Sequence, residues 1–189
     1  MADSNITKKA LASALTELMD EVPFSKISVG DICERCDMNR KSFYYHFKDK
    51  YDLVNWIFDI GFVSAVAYAP DNAQWSPWDF CESLFGYLYE NRSFYRKALC
   101  ITGQNAFSEH FRESLYVIFS NKIPHLIEKT DNASFTANFF VDALVCAVER
   151  WIRDKNCMSP DEFLCNIRNC IRLCSDAGHI SDNNTDGSE

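Results

Sequence analysis

Glycine and proline are scarce, six and five in 189 residues. An all-β sandwich or barrel turns about every 8–12 residues, so this scarcity argues against one. No window holds a long uncharged apolar run, and the N-terminus lacks the order of a secretory leader, which predicts a cytoplasmic protein without a membrane span. A glycine-rich phosphate loop is missing, and no Ser/His/Asp or Cys/His grouping has the context of a known catalytic motif. The four histidines, His46, His110, His125 and His179, show no metal-ligand spacing. The expectation is a protein that is not an enzyme and has neither metal nor cofactor. Basic residues are outnumbered, giving a net charge of −8. The nine cysteines are odd in number and scattered through helical patterns, which is not a disulfide framework. Cys33 and Cys36 lie inside one short helical pattern without a second ligand pair, so they read as small buried residues. Cys170 and Cys174 share a helix face, which suits packing.

Hydrophobic residues make up 47% of the chain, enough for a substantial core. The length suits one compact unit, or a small domain joined to a larger one. The informative stretch is residues 27–50. Ser28 can cap a short helix, with Asp31 favouring its positive end. Cys36 and Asp37 supply a turn, and Asp tolerates the left-handed conformation better than most residues. Asn39 then caps a second helix. Phe43 and Phe47, at i and i+4, can both point into a core, leaving Arg40, Lys41, Ser42, Tyr44, Tyr45 and His46 outside. A helix offering its N-terminal side chains to base edges, preceded by a helix across the backbone, is helix-turn-helix geometry. Between residues 38 and 50, four basic residues face one acid, a net +3, so the remainder of the chain carries −11. Such a distribution draws DNA to one face and repels it from the rest.

At these residues the chain resembles the TetR/AcrR-type transcriptional regulators. The resemblance rests on Phe43-Tyr44-Tyr45-His46-Phe47-Lys48-Asp49-Lys50, followed by Asp52-Leu53. Ile6 to Phe24 and Ser28-Val29-x-Asp31-Ile32 extend it over about the first third of the chain. Two residues depart from the family pattern, Asp37 where the turn usually has glycine and Cys36 where a small residue is usual. By resemblance, Arg40, Ser42 and Tyr45 are candidates for base edges. Tyr44, His46, Lys50 and the amide end of the Ser28 helix are candidates for the DNA backbone, and Lys41 for either. An arginine such as Arg40 can bond a guanine in bidentate fashion.

Periodicity predicts helices over Thr7–Glu21, Lys50–Tyr68, Trp78–Glu90, Ser93–Cys100, Phe107–Glu128, Ser134–Asp154 and Ser159–Cys174. Ser76 and Pro77 start the third of these, as a cap followed by a proline at the first helical position. The fold class is therefore all-α. A three-helix helix-turn-helix head in residues 1–48 is expected to precede a helical body in 49–175, which the resemblance implies binds effector and dimerises. Residues 176–189 are polar and acidic, which predicts disorder.

The resemblance implies a small-molecule cavity in the body. Phe62, Tyr68, Trp78, Phe94 and Phe107 are its candidates, although plain core packing explains any one of them as well. It also implies a dimer built on the last two long helices, with Phe139, Phe140, Ala143, Leu144, Ala147, Trp151, Phe163, Ile167 and Ile171 as the candidate region. The segment 49–58 is similar to the short-bodied branch that includes regulators of dihydroxyacetone-kinase operons, where control through a partner protein is an alternative to a free ligand. The expected function is a sequence-specific, homodimeric regulator of double-stranded DNA. Repression is the family default, and a co-regulator working mainly through a partner protein is the alternative.

Overall fold

The computed structural model describes residues 2–63, 76–103, 106–122 and 132–182, and the regular elements among them are all helical. We number the α-helices α1 (Ala2–Glu21), α2 (Val29–Arg35), α3 (Arg40–His46), α4 (Lys50–Phe58), α5 (Pro77–Glu90), α6 (Arg92–Ala98), α7 (Phe107–Lys122), α8 (Ala133–Arg153) and α9 (Pro160–Asp182). A 3₁₀ turn, Phe24–Lys26, joins α1 to α2.

In the N-terminal unit, α1 packs against α2, α3 and α4. Leu11, Leu15 and Met19 of α1 meet Ile32, Phe43, Phe47, Leu53 and Val54 in one buried cluster. Each such side chain contributes about 1.5–3 kcal/mol of burial free energy, and together they fix the orientation of a seven-residue α3 too short to persist alone. On the outside of this unit, Arg35 of α2 reaches Glu21 of α1 through two parallel hydrogen bonds of 2.8 and 2.7 Å.

Beyond α4, the helix widens into a π turn over Asp59–Val63, where the sequence predicts an unbroken α-helix. Gly61 sits in that turn against the Tyr87 hydroxyl, and a Cβ on it would lie 1.9 Å from that oxygen. Asp59 meets His110 Nε2 at 2.8 Å. The turn thus follows contacts from α5 and α7 that no local pattern announces. Phe58, Phe62, Phe80, Tyr87, Tyr95, Phe107 and Phe111 pack around it in stacked and edge-on pairs.

In the body, α7 lies along α8 and α9 lies on α5. Two of the packing arginines close helix ends. Arg96 of α6 donates to the carbonyls of Ile152 and Asp154, and Arg153 of α8 donates to that of Leu99. One boundary is corrected: α9 runs on to Asp182, so residues 176–182 are helical where composition predicts disorder. Extending a formed helix costs far less than nucleating one, and composition alone does not register this. Residues 183–189, the rest of that predicted tail, lie outside the described residues, as does Tyr68.

Candidate nucleic-acid interface

The turn between α2 and α3 is closed by its own backbone. Asp37 adopts φ 53°, the Met38 N–H donates to Cys33 O at 2.8 Å, and the Asp37 N–H donates to Glu34 O at 3.3 Å. This is a Schellman ending, in which Asp37 takes the left-handed position usually given to glycine. Asn39 then caps α3, its side-chain oxygen accepting from the Ser42 N–H at 2.9 Å. On the far side, Asp49 caps α4 by accepting from the Tyr51 and Asp52 N–H groups, both at 2.9 Å. Asp52 in turn accepts from the Lys48 N–H. The recognition segment is therefore capped at its start and followed directly by a second capped helix.

Phe43 and Phe47 face inward, which turns the rest of α3 outward. Tyr45 is 83% exposed and Tyr44 59%. Arg40 and Lys41 are exposed, and Ser42 and His46 half-buried. The His46 ring stands edge-on between Tyr45 and Phe47, and Tyr44 lies edge-on to Phe43. Seven of the eight candidate residues thus lie at the start of α2 or along α3, with side chains exposed or half-buried. Ser28 Oγ accepts from the Asp31 N–H while the Asp31 carboxylate accepts from the Ser28 N–H, a reciprocal capping box. Hydrogen bonds to the carboxyl, first from the Ser28 backbone N–H and then from the Ser28 side chain, hold Asp31 below its usual range.

Lys50 differs from the other seven in its contacts. Its ammonium turns inward and donates to Phe24 O at 2.7 Å and Ile27 O at 2.6 Å, above the Phe24 ring. Burial pushes its pKa down. The polar ends of the 3₁₀ turn thus take two of its three N–H donors, and Lys50 clamps the start of α4 to that turn. Sequence spacing could not show this, because the acceptors are more than twenty residues away.

The two thiols of α2 are free. Desolvation raises the pKa of both Cys33 and Cys36. Raised pKa values and burial suit inert packing residues. Among the described residues there is no group of three or more His, Cys, Asp and Glu placed to hold a metal ion.

The cavity candidates lie as follows. Phe62 and Phe107 are buried in the aromatic cluster, each in ring contact with Phe58, and Phe94 packs edge-on to Tyr95. Trp78 is half-buried under the Arg168 guanidinium. None of the four lines the cleft of about 360 Å³ that lies between the start of α4 and the start of α7. That cleft mixes polar and apolar surface, with Lys48, Asp49, Tyr51, Asp52 and Asn55 on one side and Ala106, Glu109, His110 and Glu113 on the other.

The dimer candidates divide. Trp151 and Phe163 are corrected: they face inward, stacked at 4.4 Å with planes 5° apart, and Phe85 packs against both. Leu144, Ala147 and Ile167 are half-buried, while Phe139, Phe140, Ala143 and Ile171 are exposed. Phe135, which sequence reasoning passed over, is 67% exposed and stacks on the 60% exposed Phe139. Its spacing of four residues from Phe139 was the available signal.

Comparison with known proteins follows this division of the molecule. Residues 11–57 match the family model described as bacterial regulatory proteins, tetR family, and residues 76–173 match one described as a transcriptional regulator C-terminal region. The HTH-type dhaKLM operon transcriptional activator DhaS of Lactococcus lactis subsp. lactis (strain IL1403) is 29% identical over 161 residues, which cover 79% of this chain and 81% of that one. A solved structure titled dihydroxyacetone kinase operon activator DhaS superposes with a TM-score of 0.66 at 25% identity, covering 89% of this chain and 95% of that one. A TetR transcriptional regulator from Streptococcus agalactiae 2603V shares the fold, with a TM-score of 0.63 at 18% identity over 86% and 92% of the two chains.

Proposed function

This chain belongs to the tetR family of bacterial regulatory proteins, DNA-binding transcription regulators and not enzymes, and on that premise we propose that it acts as a homodimer on a palindromic operator in the cytoplasm. The observation that carries the reading is α3, whose buried Phe43 and Phe47 turn Arg40, Lys41, Tyr44 and Tyr45 outward on a capped and well-packed helix. The head, residues 1–48, reads the major groove, and the body, 49–175, pairs through the exposed aromatic and aliphatic stripe of α8 and α9. Two-fold pairing sets two recognition helices about 34–36 Å apart, one helical turn of DNA.

Control works through the spacing of the heads. An effector or partner shifts that spacing only by the difference in its affinity for the two states. Output is repression, with activation, the role for which the Lactococcus relative is named, as the alternative. The position of a recovered site relative to its promoter decides between them. A second reading, a co-regulator working through a partner protein, is favoured by one observation: Phe62 and Phe107 pack in an aromatic cluster and line no cleft described above.

The test is selection of bound fragments from the source genome by the purified protein beside Tyr45→Ala, near physiological salt. Wild type is expected to enrich a palindromic site. The variant, with the same melting temperature, is expected to bind that site at least tenfold more weakly, since base and aromatic contacts are worth about 1–3 kcal/mol. Equal enrichment by both proteins removes α3 as the reading helix, and enrichment by neither favours the co-regulator.

A further inference from the structure

Gly30 is the second residue of α2, and its bare Cα faces the start of α3. A Cβ there would lie 2.5 Å from Arg40 Nη2 and 3.3 Å from both Cζ and Nε. The guanidinium is therefore laid over Gly30, close enough to Asp31 for its charge to act on that carboxylate. Although Arg40 opens α3, its charged end is turned back onto α2. Lys41 and Tyr45, one turn apart on α3, remain exposed.

In a helix-turn-helix the first helix crosses the sugar-phosphate backbone and the second enters the groove. A guanidinium lying on the first helix is placed for phosphate oxygens. We infer that Gly30 is a positioning residue that seats Arg40 as a phosphate contact, leaving base discrimination to the Lys41 and Tyr45 flank of α3. This assigns a division of labour within the interface and rests on the DNA-binding reading above.

Gly30→Ala is a suitable probe, because the three atoms nearest the added methyl all belong to the flexible tip of Arg40, and alanine favours the helix. The experiment takes wild type, Arg40→Ala, Gly30→Ala, the double variant and Lys41→Ala through selection from a randomised duplex library. Salt titrations of affinity for the selected duplex and for a scrambled one follow. Arg40→Ala is expected to weaken both duplexes by the same factor, roughly tenfold, to lower the slope of log affinity against log salt by about one, and to leave base preference unchanged. Gly30→Ala is expected to weaken both duplexes at an undiminished melting temperature, and to have no further effect in the Arg40→Ala background. Lys41→Ala relaxes the preference at one base pair.

The inference is overturned if Arg40→Ala relaxes the choice of a single base pair while scrambled DNA binds as before, or if Gly30→Ala acts equally with and without Arg40. Wild-type protein that enriches no sequence overturns the interface reading and this inference together, a result distinct from either of those.

Discussion

Both ends of α4 depart from the regular α-helix, and they are secured by opposite means. At the N-terminal end, Asp49 caps the helix, Asp52 holds the Lys48 N–H, and Lys50 clamps the carbonyls of Phe24 and Ile27. At the C-terminal end, the π turn rests on side chains from three other helices. Tyr87 of α5 lies against Gly61 and bonds Tyr95 of α6 at 2.7 Å, while His110 of α7 holds Asp59. One end is tied to the recognition unit by short polar contacts, and the other is set into the body by aromatic packing. A helix held this way has its two ends anchored in different units. π turns recur at such functional junctions because they set the helix face off by one residue.

The largest expected effect breaks the N-terminal end. Lys50→Met keeps most of the apolar stem over Phe24 but removes both hydrogen bonds, and charged hydrogen bonds contribute about 1.5–3 kcal/mol. A loss near 2 kcal/mol is expected, read as a lower urea midpoint at neutral pH with unchanged slope. An unshifted midpoint would mean that the desolvation of Lys50 cancels its bonds. The C-terminal end is tested next by Gly61→Ala. Its methyl meets the Tyr87 hydroxyl and ring, and overpacking of this kind costs about 1–3 kcal/mol. Tyr87→Phe alone leaves the buried Tyr95 hydroxyl without its partner. In that background Gly61→Ala is expected to cost less than in wild type, a coupling that a double-mutant cycle of urea midpoints reads directly.

The same contrast explains what the sequence made legible. The Ser28 box, the left-handed Asp37, the Asn39 cap and the inward pair Phe43 and Phe47 are local, each decided by residues within four positions, so the recognition unit could be read directly. The all-helical order of the body followed from its periodicity in the same way. Long-range closures could not be read. Nothing near Lys50 indicates acceptors at Phe24 and Ile27, and nothing near Gly61 indicates Tyr87. The stripe on α8 and α9 had the right period, but Trp151 and Phe163 share it with Phe139. The approach of Phe85 and Tyr89 from α5 separates the inward pair from the outward side chains.

One contact between the two units bypasses α4 and gives the smallest effect. Asp20, near the end of α1, accepts from Lys97 of α6 at 2.5 Å and from Ser93 Oγ at 2.9 Å. The Lys97 hydrogen bond, then that from Ser93, holds the Asp20 carboxyl below the ordinary aspartate value of 3.8. A carboxyl whose pKa falls on folding contributes stability that is full above 3.8 and is lost as pH drops through the lower, folded value. The pair is largely exposed, so screening limits it, and Asp20→Asn is expected to cost less than about 1 kcal/mol at neutral pH. The difference in urea midpoint between wild type and Asp20→Asn should close as pH is lowered through that window. It must be read as a difference, because Glu21 and Asp31 also have lowered pKa values and lose their share there. Operator affinity of the same variant at neutral pH sharpens the comparison. Unchanged affinity leaves the placing of the head to α4 alone, whereas a shift larger than the stability change makes the α1–α6 contact a second arm that sets the recognition helix.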